Sequence, residues 1–415
     1  MHLLRQPQWQ EKFIFFRSFT LRATLLLFSR LTVVLTAFSL PLSTTLTNVL
    51  LPIAALFGLC SENLSSKARK IMANPVALSL MAFFSLYLIA TMYTIAPTAD
   101  IVHQLAKSSC LLIAALLIPT LTDHTWCRRA IHAFLLAMIL TLLLSYIKYF
   151  FVPDLFHTRF NEASIFKDHI IQNFLMAFAT FIFLYRWLHH YHYRWFYGLL
   201  VLAATYNVFF MSTGRSGYFI FAALLIYTLI THFKWKGLFI ALLSIGLLFA
   251  LAYMVSPAFK ARMSSITTNL IQYHHGQHYS SVGIRIQSMQ NALTLYKQHP
   301  IFGYGTGSFY SAYASLPAQS TQTTGIMKAA YNSYLNVAVQ LGAVGLGWLL
   351  FMLWIQWRCS FQLPADLRYL IQILLIGMML GCLANPWLSD TTELRFYALF
   401  VAVVFAALYD TSPHF

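Results

Sequence analysis

Arg215 stands in Ser212-Thr213-Gly214-Arg215-Ser216-Gly217-Tyr218, a polar knot between two apolar runs. A guanidinium flanked by glycines suits an anion. Gly214 and Gly217 let backbone N–H groups approach, and the guanidinium forks onto phosphate oxygens. The next apolar run begins within a few residues, so its helix N-terminus would add a favourable dipole. An arginine that merely snorkels to the membrane surface would occupy the same place. Arg285, in Ser280-Ser281-Val282-Gly283-Ile284-Arg285, opens a second polar segment and could reach the same anion, or be a solvated helix charge.

Other groups with chemical capacity are scattered. Lys328, Tyr331 and Asn332 immediately precede an apolar run. A phenol and an amide there could orient a hydroxyl substrate, and an aromatic-belt tyrosine is the routine alternative. Glu162, Asp168 and His169 precede another run. They could supply acid–base chemistry or cap the helix. His274, His275 and His278 resemble metal ligands but lack carboxylates nearby, so solvated histidines are expected and no metal is. Gly303-x-Gly305-x-Gly307 has no preceding strand, which argues for a tight turn rather than a nucleotide loop.

The elements that must position these residues are membrane spans. The 415 residues are 59% hydrophobic and only 9% charged, which excludes an ordinary soluble domain. Runs near 22–41, 44–61, 74–94, 106–122, 129–150, 169–187, 195–212, 217–233, 237–255, 332–355, 368–387 and 395–411 each approach the length that crosses a bilayer. The expected fold is all-α and polytopic, with about 12 transmembrane helices.

Three parts are expected: spans over 1–254, a large loop over 255–331 and spans over 332–415. Within the loop, Ile286, Met289, Leu293 and Tyr296 recur at helical spacing, with Pro300 ending the helix. Gln319 to Thr324 reads as a polar connection.

The formal charge is +16, from 27 Lys+Arg against 11 Asp+Glu. The bases fall in alternate short loops: Lys12 and Arg17, Lys67 to Lys70, Arg128 and Arg129, Arg186 and Arg194, Lys234 and Lys236, Arg358 and Arg368. This alternation predicts cytoplasmic loops, both termini inside and the large loop outside. It fits membrane lipid headgroups better than nucleic acid. The five cysteines avoid the large loop, so no disulfide framework is expected.

Taken together, Gly-Arg-Ser-Gly-Tyr between spans, an Arg-bearing loop helix, His299-Pro300-Ile301-Phe302-Gly303-Tyr304-Gly305, Tyr331-Asn332-Ser333-Tyr334-Leu335 and Gln340-Leu341-Gly342-Ala343-Val344-Gly345-Leu346 resemble the O-antigen ligase/polymerase superfamily. The resemblance implies a multi-pass glycosyltransferase of the bacterial inner membrane with a helical periplasmic loop domain. It implies a glycan donor on undecaprenyl diphosphate and, for a ligase, a lipid A–core acceptor in lipopolysaccharide biosynthesis.

By the same resemblance, Arg215 and Arg285, with Gly214 and Ser216, would hold the donor diphosphate, and Tyr331 and Asn332 would serve catalysis. No cofactor or metal is implied. The family commonly places His where this chain has Tyr331, and a phenol of ordinary pKa is a poor base. His169, His299 and Glu162 are the other candidate bases. An O-antigen polymerase or related oligosaccharide transferase is the alternative reading. A transporter of lipid-linked sugars is another, although no internal repeat of interrupted helices is evident.

Overall fold

The computed structural model describes residues 8–152, 163–189, 192–275, 279–317, 325 and 327–409, with side chains from Leu21 onward except that of His274. Glu162, His278 and the 319–324 connection lie outside the described residues.

Among the described residues, sixteen α-helices follow in order: α1 Gln8–Leu42, α2 Thr44–Cys60, α3 Leu64–Ala73, α4 Pro75–Ile89, α5 Thr98–Leu117, α6 His124–Phe150, α7 His169–His189, α8 Arg194–Tyr206, α9 Arg215–Phe233, α10 Trp235–Val255, α11 Pro257–His274, α12 Ser281–Gln298, α13 Phe309–Ala314, α14 Ser333–Ser360, α15 Ala365–Ala384 and α16 Thr391–Phe405. The chain is an all-α polytopic membrane protein. Among the described residues, 10 helices are long and apolar enough to cross a bilayer.

The expected 12 is reduced at two places. The 44–61 run is the 17-residue α2, which breaks from α3 at 113°. The 195–212 run is the 13-residue α8 followed by a π-helical turn at Asn207–Met211. Neither passes as a straight span alone.

Helix starts follow local chemistry. Asn74 accepts from the amides of Val76 and Ala77, with Pro75 in the first position. Asp168 accepts from Ile170 and Ile171 at the head of α7. Ser256, Ser280 and Asn332 cap α11, α12 and α14 by bonds to Phe259, Gly283 and Leu335.

The last span, Thr391–Tyr409, is 83% buried and forms the centre, whereas Trp235–Val255 is 11% buried and lies at the periphery. Around the centre, Phe134 meets Phe400 at 5.0 Å and Phe178 meets Phe396 at 5.0 Å. Trp387 packs on Phe174 at 4.3 Å.

The His299–Gly305 segment has a structural task. It inserts into a break in α14, where Gly342 has φ 66°. The amides of Ala343 and Val344 bond to the carbonyls of Pro300 and Ile301, and Tyr304 and Gly305 donate back to Val339 and Gln340. A Cβ on Gly342 would sit 2.1 Å from the Ile301 carbonyl oxygen, and one on Gly303 2.6 Å from Gln340. The large loop is thereby pinned into α14 at Val339–Val344, beyond its first turns.

Candidate functional site

The polar knot is where the spans meet both long helices of the loop. Gly214 begins α9 without a side-chain cap. Arg215 donates to Ser281 Oγ of α12 at 3.1 Å. Arg262 of α11 donates to Thr213 Oγ1 at 3.2 Å. Arg285 of α12 donates to the Ala384 carbonyl, at the end of α15, at 3.0 Å.

The charges of Arg262 and Arg285 both act on Arg215. Burial pulls the Arg285 guanidinium below its ordinary pKa, with Tyr331 opposing the shift. Three like charges held together and partly desolvated are costly. Such an arrangement favours an anion that would relieve it.

The glycines also have a packing reason. Asn173 Nδ2 donates to the Gly214 carbonyl at 2.8 Å. A Cβ at Gly217 would lie 2.6 Å from Asn173 Cγ. These glycines therefore seat α9 closely against α7. Ser216 accepts from Asn385 Nδ2 at 3.1 Å, which ties the knot to the turn before α16.

That turn borders a cavity of about 440 Å³ lined by Arg285, Tyr331, Asn385, Trp387, Asp390 and Glu393, with Asp168 at its edge. Arg215 does not line it; its neighbour Ser216 bonds the lining residue Asn385. Tyr331 lies beneath Arg285, with the guanidinium carbon 5.0 Å from the ring centre. Asn332 is committed to structure: its Oδ1 caps α14 and its Nδ2 donates to Leu383 at 3.0 Å.

Among the candidate bases, His299 is exposed and packs edge-on against Tyr304 at 4.3 Å. Asp168 spends Oδ1 on the α7 cap. His169 starts α7, its carbonyl oxygen close against Gly214. Lys328 lines a smaller cavity of about 180 Å³, together with His103, Lys107 and Tyr310.

Asp390 lines both cavities. It precedes α16 but makes no side-chain cap bond, so its carboxylate is not consumed by the helix. Burial pushes that carboxyl up to about 6; Lys107 opposes the rise and Asp168 adds to it. One turn on, Glu393 is 2% exposed, and its Oε2 has no hydrogen-bond partner. Lys167, which donates to Thr44 and Thr392, has its ammonium pKa lowered to about 8 by burial, against the pull of Glu393 and Asp168.

Asp390, Glu393, Lys167 and Arg262 were not singled out from the sequence. A signal existed for the first two: in a chain with 11 acidic residues, an acidic pair at the head of the last span is unusual.

Comparison with known families gives one finding. Residues 198–352 match the family model described as O-Antigen ligase. No curated protein matches the chain. The matched stretch carries Arg215, Arg262, Arg285 and Tyr331, while Asp390 and Glu393 lie beyond it. Over residues 198–352, which include the polar knot and both loop helices, this polytopic chain is similar to the O-antigen ligase family.

Proposed function

We propose that the protein transfers a glycan from undecaprenyl diphosphate to a sugar hydroxyl of lipid A–core at the periplasmic face of the inner membrane, as an O-antigen ligase. Both termini are then cytoplasmic. The parts are a span region over 1–254, a periplasmic loop over 255–331 and a span region over 332–415.

The observation that carries this reading is the convergence of Arg215, Arg262 and Arg285 beside a cavity containing an uncommitted carboxylate, Asp390. A glycosyl diphosphate gains negative charge on its leaving group as the bond from the anomeric carbon to the phosphate oxygen breaks. Fixed guanidinium groups stabilise that charge as it develops. Gly214 and Ser216 shape the anion's seat at the head of α9. The acceptor oxygen attacks the same carbon from the opposite face, with single inversion, and loses its proton to Asp390.

A carboxyl raised to about 6 is still mostly ionised at neutral pH, and it holds a proton more tightly than an exposed carboxylate does. Tyr331 supports Arg285 and hydrogen-bonds the acceptor. Asn332 fixes the start of α14 beneath it. No cofactor is required.

A deletion strain tests the function. Core devoid of long chains, with lipid-linked polymer retained and restored by the wild-type gene, supports a ligase. Core carrying one repeat unit would instead assign the protein as a polymerase. Unchanged lipopolysaccharide would remove both readings.

A further inference from the structure

We propose that the opposite end of the bundle holds a second site, built for a phosphate-bearing headgroup. A cavity of about 450 Å³ lies between the C-terminal ends of α7, α9 and α14 and the start of α15. Its lining includes Tyr185, His189, Tyr227, His232, Trp357 and Arg368. The 21 residues of α7 separate it from Asp168, so it lies about 30 Å from the arginine site and belongs to a different membrane face.

The charge pattern selects an anion. Among the described residues, no carboxylate lines the cavity. Asp366, in the first turn of α15, is close enough to act on Tyr185 but does not line the cavity. Three helix C-termini end here, and their carbonyls would repel an anion if left bare. Two of the three are covered: Arg368 Nη2 donates to Phe361 and Leu363, at and just past the end of α14, at 3.2 Å each, and His189 Nδ1 bonds the Tyr185 carbonyl of α7 at 2.8 Å. Arg368 Nε is buried without a hydrogen-bond partner. Ala365 of α15 lines the cavity, and its N-cap, Pro364, supplies no side-chain cap. An oxyanion would therefore meet a guanidinium, two imidazoles and a helix N-terminus together.

The rest of the wall is aromatic and fixed. Tyr185 stacks on Tyr369 at 4.6 Å and on His189 at 4.1 Å. Tyr369 bonds Thr228 at 2.8 Å, and Gln372, which accepts from Tyr227, donates to Ser360 at 2.9 Å. Rigid aromatics around a cationic pocket, level with the span ends, fit an amphiphile whose phosphate enters and whose apolar part lies against the rings. A phospholipid of anionic headgroup supplies that chemistry. Free inorganic phosphate supplies its polar half.

The test uses the full chain in nanodiscs, with native mass spectrometry counting retained phosphatidylglycerol against phosphatidylcholine. Wild type is expected to retain phosphatidylglycerol selectively. Arg368→Gln should weaken that retention about tenfold or more, the worth of a charge-assisted hydrogen bond. Because Arg368 also caps α14, the double variant His189→Gln/His232→Gln is measured alongside and should weaken retention too. Lys236→Gln, in the first turn of α10, should leave it unchanged.

Millimolar inorganic phosphate separates the two sources. Displacement of the lipid assigns the site to the phosphate group alone, and resistance assigns it to the whole lipid. Equal retention of both lipids by wild type without phosphate binding, a double variant that behaves as wild type, or an equal loss in Lys236→Gln would each overturn the proposal.

Discussion

The guanidinium of Arg285 lies 5.0 Å above the ring centre of Tyr331 and bonds the Ala384 carbonyl at the same time. One arginine thus joins loop helix α12, the start of α14 and the end of α15. The position where the resembled family carries His is here the floor under Arg285, a cation of the proposed donor site. The ring face does this, and the proposed role of the hydroxyl is separate from it.

Tyr331 variants should therefore separate ring from hydroxyl. Tyr331→Phe keeps the face under Arg285 and should cut transfer by no more than about tenfold, the value of one neutral hydrogen bond. Tyr331→Ala removes the face and should cost more. Tyr331→His should retain or raise activity. Rates of the purified variants decide this: near-complete loss in Tyr331→Phe would make the phenol itself the base.

Asp390→Asn should lower the transfer rate about a hundredfold or more while leaving the protein inserted, since it removes the proposed base. The wild-type rate should rise with pH through about 6, as the carboxyl raised by burial ionises, and level off above. The sign for stability is opposite. A carboxyl whose folded pKa is raised favours the fold when protonated, so its contribution is lost as pH rises through about 6. A rate profile flat between pH 5 and 8 (roughly one unit below to two above the shifted value) would exclude Asp390 as the base.

Arg262→Ala should weaken donor use by about tenfold or more, because it removes one of three guanidinium groups acting at the knot. The readout is the donor concentration giving half-maximal transfer. Wild-type behaviour would reduce Arg262 to a tie between α11 and Thr213.

The spans and the loop helix carrying Arg285 were legible because apolar runs and helical spacing are local signals. Ser280 even marks the α12 cap. Helix α11 was missed although Ser256-Pro257 announces its start, because no regular apolar stripe follows. With it went Arg262. The docking of His299–Gly305 into the α14 break could not be read, since Ile301 meets Gly342 only in the folded chain. The same holds for Asp390, whose burial depends on helices distant in sequence. Arg215 stands out as a candidate because a charge at a membrane edge is visible without any fold.

Gly342→Ala should destabilise the chain by on the order of 1–3 kcal/mol from backbone strain alone. The position has φ 66°, and the added Cβ would strike the Ile301 carbonyl. Thermal unfolding in detergent measures it. A transition unchanged from wild type would mean that the loop is not anchored there.

Transfer should persist in excess chelator, because guanidinium groups can carry the leaving-group charge. Loss of activity restored by a divalent cation would show that they do not suffice.

The central claim is that the arginine cluster holds the donor's diphosphate, and equilibrium binding of undecaprenyl-diphosphate-linked glycan to the purified protein tests it most directly. Arg215→Ala and Arg285→Ala should each bind at least about tenfold more weakly than wild type, with the folded state intact by thermal unfolding. Wild-type affinity in both variants would contradict it.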